Sequence, residues 1–140
     1  MRVLALIAML VPMVALADPP ADVKALDGNW VPTKVEILGR EAPLKNFETT
    51  KLTIAGDTYS VTSDGTTDKG TVKTDATAKP ATLDILGTSG PNKDKNILAI
   101  WKLEGDKLQV CYNLDGKVRP TAFESTSANS WLLISYKRVK

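Results

Sequence analysis

The chain has 140 residues, 18 of them basic and 16 acidic, with one cysteine and no histidine. Without histidine there is no imidazole general base, no Ser-His-Asp or Cys-His nucleophile and no histidine-containing zinc site, and one cysteine permits no intramolecular disulfide. The near balance of interspersed charges argues against an electrostatic binder of nucleic acid or anionic membranes.

In chain order, an export signature comes first. Met1-Arg2 is a short positive head, Val3 to Leu16 is apolar apart from Pro12, and Ala15-Leu16-Ala17 has the small-x-small pattern a signal peptidase reads. The apolar run is shorter than the ~20 residues of a spanning helix, and Asp18-Pro19-Pro20 ends it. Residues 1–17 are therefore expected to be a cleaved signal peptide rather than an uncleaved anchor. Export to the periplasm or the extracellular space follows, with no stable membrane insertion after cleavage and no nearby cysteine to accept a lipid. Arg2 is the only charge in this segment, so the mature chain keeps 17 of the 18 basic residues against all 16 acidic ones. Residues 18–25 read as a loose arm with at most a helical turn, and 26–140 as one domain.

From Gly28 the pattern is extended. Val35 and Ile37 alternate with Lys34 and Glu36, and Pro32, which cannot donate to a ladder, places an edge or a bulge there. Gly39 to Phe47 reads as a loop. Lys51 to Ile54 and Tyr59 to Thr62 alternate on either side of Gly56-Asp57, and Asp64-Gly65 is a two-residue hairpin dipeptide. A threonine- and lysine-rich strand, about Thr66 to Thr74, contains Gly70 as a bulge or bend. Thr82 to Ile85 is a further strand and Gly87 to Lys95 a polar loop. Asn96 to Phe123 reads as a three-strand meander turning at Glu104-Gly105-Asp106 and at Asp115-Gly116-Lys117, and Trp131 to Arg138 is the last strand. Eight or nine short antiparallel strands must close on themselves or stack. An all-β, single up-and-down barrel of about eight strands is predicted, a size that encloses packed side chains or one small ligand.

Several segments, in order, carry a family resemblance: Leu26-Asp27-Gly28-Asn29-Trp30, Leu52 to Asp57, Lys69-Gly70-Thr71, Leu103 to Leu108, Val110-Cys111-Tyr112 and Arg119 to Phe123. Over nearly the whole of 26–138 the chain resembles a lipocalin-like secreted bacterial domain family, abundant in planctomycetes and of unknown function. The resemblance implies a calycin-like barrel and brings no activity with it. In lipocalins a Gly-x-Trp on the first strand packs under a basic residue ending the last. The resemblance implies that closing role for Gly28, Trp30 and Arg138, with the guanidinium stacked on the indole. The chain is shorter than true lipocalins and lacks their inter-strand disulfide, which argues against a large cavity.

The candidate ligand contacts are Arg119, Phe123, Tyr136, Trp101 and Tyr112. If a strand continues through Pro120, Arg119 and Phe123 share a face, and the planar fork of an inward arginine suits a carboxylate head group. The plainer reading, which carries more weight, has Arg119 at a strand end paired with a surface acid. Tyr136 shares a face with Leu132, Ile134 and Arg138, as a plug more readily than a pocket. Trp101 and Trp131 are core by default, and faces within Ile97 to Trp101 are ambiguous because five apolar residues run together. Cys111 reads as a small buried filler rather than an exposed thiol or intermolecular bridge. Asp84, Asp94, Glu104, Asp106 and Asp115 lie in or beside turns without calcium-loop spacing, so no metal, cofactor or catalytic residue is expected.

The favoured reading is an exported, non-enzymatic binding module for a small apolar or amphipathic ligand. The alternative is a barrel filled by its own side chains, serving as a protein–protein interaction or structural domain of the cell envelope. Interior volume separates them, since ligand pockets run from ~300 Å³ upward. Oligomeric state is left open by the sequence.

Overall fold

The computed structural model describes residues 25–140. The expected signal peptide at 1–17 and the arm up to residue 24 lie outside the described residues. The elements, in order, are β1 (Gly28–Ile37), β2 (Arg40–Ala42), a 3-10 helix (Leu44–Phe47), β3 (Lys51–Ala55), β4 (Thr58–Ser63), β5 (Thr66–Asp75), β6 (Ala81–Ser89), β7 (Asn96–Glu104), β8 (Lys107–Asn113) and β9 (Trp131–Val139). Each strand from β3 to β9 pairs antiparallel with the next. β9 returns to β1 from Asn29↔Val139 to Ile37↔Leu132, and β3 meets the other edge of β1 at Gly28, Asn29 and Trp30. Eight strands thus form a closed up-and-down barrel, as the turn spacing predicts. Closure leaves no long unpaired edge to template aggregation.

The ninth strand, β2, lies in the segment expected to be loop. It pairs with Val35, Glu36 and Ile37, on the edge of β1 that the short β3 does not reach. Two irregularities bend the barrel. A register shift between Pro32 and Lys34 leaves Thr33 unpaired, with its hydroxyl donating to Ser135 O, and this is the bulge expected at Pro32. Another lies opposite Lys69 and Gly70, where Gly70 pairs with Gly87 and Lys69 with Ser89. A Cβ on Gly70 would stand 2.0 Å from Leu86 O, so the sheet folds tightly there only because the side chain is absent.

Period-two alternation fills the interior. Trp30, Leu52, Ile54, Leu83, Ile85, Ile97, Ala99, Leu108, Val110 and Ile134 are among the buried residues of one continuous core. Removing each large apolar side chain from water contributes roughly 1.5–3 kcal/mol. A second, smaller core lies on the outside of the barrel. Ile100, Cys111 and Leu133 are lateral neighbours across β7, β8 and β9, with Phe123 and Trp131 packed on them. Segment 114–130 covers this patch, with Pro120 fully buried. The five-residue apolar run at 97–101 is thereby explained: β7 is buried on both faces, Ala99 and Trp101 inward and Ile100 outward.

The third strand of the expected meander is not formed. Asp115-Gly116-Lys117 does turn, with Asn113 Oδ1 accepting from Asp115 N and Asp115 Oδ1 from Lys117 N. The chain then leaves the sheet. β9 occupies the free edge of β8 from Lys107↔Lys137 to Asn113↔Trp131, and Pro120 has no N–H to offer a ladder. Asn113 Nδ2 instead holds the departing chain by donating to Val118 O at 2.7 Å.

Candidate ligand-binding cavity

One end of the barrel is stoppered. Trp30, with no solvent exposure, donates from Nε1 to Leu26 O at 2.9 Å. The Arg138 guanidinium lies 4.3 Å from the Trp30 ring centroid. It donates to Asp27 O, to Ala25 O at 3.0 Å and to Asp106 Oδ1 at 3.2 Å. Gly28 has φ +138° and its missing Cβ would meet Arg138 Nη1 at 2.8 Å, so this position requires glycine. Gly28, Trp30 and Arg138 are thus brought together at one end.

The opposite end opens between the 3-10 helix and the β4–β5, β6–β7 and β8–β9 connections. From it a cavity of about 290 Å³ runs into the barrel, reaching from Phe47, Asn92 and Leu114 at the mouth to Leu26 near the stopper. Its wall is mostly aliphatic, including Leu52, Val72, Leu83, Ile97 and Val110. A groove of about 530 Å³ elsewhere is larger but lies among the charged side chains Lys102, Glu104, Lys107 and Lys137. A groove with such charged walls suits a small ligand less well than a mostly apolar interior does.

Three polar groupings punctuate the cavity wall. Near the mouth, Thr50 and Ser63 hydroxyls are 2.8 Å apart. Deeper, Asp68, 8% exposed, accepts from Tyr59 Oη at 3.1 Å, from Asn92 Nδ2 at 2.8 Å and from Asn92 N at 3.0 Å. On the facing wall the Tyr112 and Tyr136 hydroxyls are 2.9 Å apart. Burial pushes the Tyr136 phenol up to about 12. Burial also lifts Tyr112 and Tyr59 well above the ordinary tyrosine range, helped by Tyr136 and by the Asp68 carboxylate respectively. All three phenols stay neutral across ordinary pH, as hydrogen-bonding groups in an apolar chamber. Among the described residues no lysine or arginine lines the cavity.

Of the five candidate contacts, the structure brings Tyr112 and Tyr136 to the cavity and leaves three elsewhere. Trp101 is buried in the wall, its Nε1 donating to Thr82 O at 2.9 Å, and does not reach the void. Phe123 packs on the outer patch with Lys102 Nζ 4.9 Å above its ring. Arg119 lies outside the barrel too, pairing with Asp84 and donating to Ala99 O at 2.9 Å and Leu83 O at 3.3 Å. Arg119 and Phe123 could share an inward face only on a strand, and segment 114–130 forms none. The surface-acid pairing of Arg119 is the arrangement found. Cys111 is fully buried, and burial raises its thiol pKa, so it stays protonated beside Glu124 O.

Sequence reasoning missed Tyr59, Asp68 and Asn92. The signal for Asp68 was the alternation of β5, which puts it on one face with Gly70 and Val72; Asn92 comes from a loop and had none. Among the described residues no cluster of acidic or cysteine side chains is placed to hold a metal. Comparison with family models, curated proteins and solved structures finds no match to this chain.

Proposed function

We propose that this barrel is an exported binding module that takes one small, largely apolar molecule into its interior. The observation that carries the reading is the 290 Å³ cavity, open at the loop end and stoppered at the other. Its volume lies just below the ~300 Å³ at which the range for small-molecule sites begins, and its make-up, a mostly aliphatic wall with a few convergent polar groups, is what such sites share. A barrel packed solid by its own side chains would leave no such space.

The test is titration of the purified protein with a neutral dye that fluoresces in apolar surroundings. Saturable one-to-one binding is expected. Val72→Phe, which adds bulk to the cavity wall, is expected to weaken it by about tenfold or more while the β-sheet circular dichroism persists. A folded protein that takes up no dye would overturn the reading and turn attention to protein partners.

A further inference from the structure

Asp68 is an unusual component of an apolar chamber. It is buried, it lines the cavity, and its hydrogen-bond partners Tyr59 and Asn92 are neutral. Among the described residues no cation answers it: their ion pairs are Lys34–Glu36, Arg119–Asp84 and Arg138–Asp106. Burying a carboxylate without a countercharge is costly, and the internal shape of the β6–β7 loop does not depend on it. That loop already holds itself through Gly87 N to Lys95 O, Lys93 N to Gly90 O, Asp94 N to Gly87 O and Lys95 N to Asn92 O. The three donors to Asp68 approach both oxygens, so a carboxylate accepts from all of them where an amide of the same shape would turn its NH2 toward a donor. What a charged acceptor adds is attraction for a positive donor inside the chamber.

The carboxylate also has capacity left. An ionised carboxylate offers about four acceptor positions, and Asp68 uses three, two on Oδ2 and one on Oδ1. Across the chamber the Tyr112–Tyr136 hydroxyl pair is a second, neutral polar point on the wall. Apart from the Thr50 and Ser63 hydroxyls near the mouth, the remaining surface is mostly aliphatic, and among the described residues it carries no lysine or arginine.

We propose that the ligand is a cationic amphiphile, an apolar body bearing a protonated amine, whose ammonium group docks on Asp68. This rests on the cavity being a binding site and goes beyond that reading by fixing the sign of the head group. It also reverses the expectation attached to Arg119: an anionic head group would meet a like charge and find no cation among the described residues that line the chamber. In the chamber's low dielectric a charge-assisted hydrogen bond is stronger than in water.

Octylamine, octanol and octanoate share one chain and differ only in the head group, so their competition against the neutral dye, backed by calorimetry, isolates that group. On the wild-type protein the amine is expected to bind about tenfold or more tightly than the alcohol, and octanoate more weakly than either. Asp68→Asn keeps the shape and an acceptor but removes the charge, and is expected to bring the amine to within about threefold of the alcohol. Octanol or octanoate binding as well as octylamine to the wild type would overturn the proposal while leaving the binding module standing. Failure of all three and of the dye would overturn the binding module itself. If Asp68→Asn does not fold, the wild-type order alone decides; if it folds and keeps the amine preference, the ammonium does not dock on Asp68.

Discussion

Arg138 shows how much one side chain at a barrel end can hold. It stacks on Trp30 and bonds carbonyls of the chain just before β1, so it ties the last strand to the first and to the segment that plugs the end. Its bond to Asp106, whose side chain is 72% exposed, contributes little because water screens it. Arg138→Ala is therefore expected to lower unfolding free energy by roughly 1–3 kcal/mol, from the stacking and the two carbonyl bonds. Arg138→Lys should recover only part of that, since lysine lacks the planar fork; urea denaturation measures both, and equal stability of all three proteins would contradict the stopper. A second expectation at this scale concerns Cys111. With no exposure and a thiol pKa raised by burial, it should resist a thiol reagent in the folded protein and react in full once urea unfolds it. Rapid labelling of the native protein would show that the covering segment opens readily.

At the scale of elements, segment 114–130 is a strap over the outer faces of β7, β8 and β9, and Arg119 is its main polar fastening. Arg119→Ala removes the bonds to Ala99 O, Leu83 O and Asp84. The side chain is 30% exposed, so the expected loss is modest, roughly 1–2 kcal/mol. Hydrogen exchange should quicken within 114–130, and dye affinity should stay within about twofold, because the strap lies outside the chamber. A tenfold loss of dye affinity would restore Arg119 to the binding site. The contrast between strap and strands shows what the sequence made legible. β3, β4 and β6 alternate plainly, and β4 and β5 join at Asp64-Gly65 in the register Ser63↔Thr66. Arg119 to Phe123 imitates a strand by alternation alone. Whether such a segment joins a sheet depends on which edge is vacant, and β9, far along the chain, takes the edge of β8. β2 was hidden for the converse reason: three residues, mostly exposed, have no buried face to leave a pattern.

On the scale of the whole molecule, closure was legible because an odd edge has nowhere to go in a chain of short antiparallel strands, while the chamber's chemistry was legible only in part. Tyr112 and Tyr136 lie on strands with clear apolar companions, so their inward direction follows from period two. Asp68 meets Asn92 only because the barrel folds the β6–β7 loop over β5, a contact 24 residues apart that no local pattern encodes. The three inward phenols give the barrel a collective property that can be measured. In the unfolded chain each titrates near the ordinary tyrosine value of about 10, whereas Tyr136 is held up to about 12 in the fold and Tyr59 and Tyr112 are raised by burial as well. Below pH 10 both states keep these protons and the phenols leave stability unchanged with pH. Above pH 10 the unfolded chain releases protons that the native barrel retains, so stability falls as pH rises, by roughly 1.4 kcal/mol per pH unit for each group still protonated in the fold. A cooperative loss of β-sheet circular dichroism between about pH 10 and 12 is expected on these grounds. The double variant Tyr112→Phe, Tyr136→Phe removes both hydroxyls together and leaves neither without its partner, so it should move that transition upward in pH at little cost near neutrality. An alkaline transition that stays in place in the double variant would mean that the chamber admits water freely enough to ionise its phenols without unfolding.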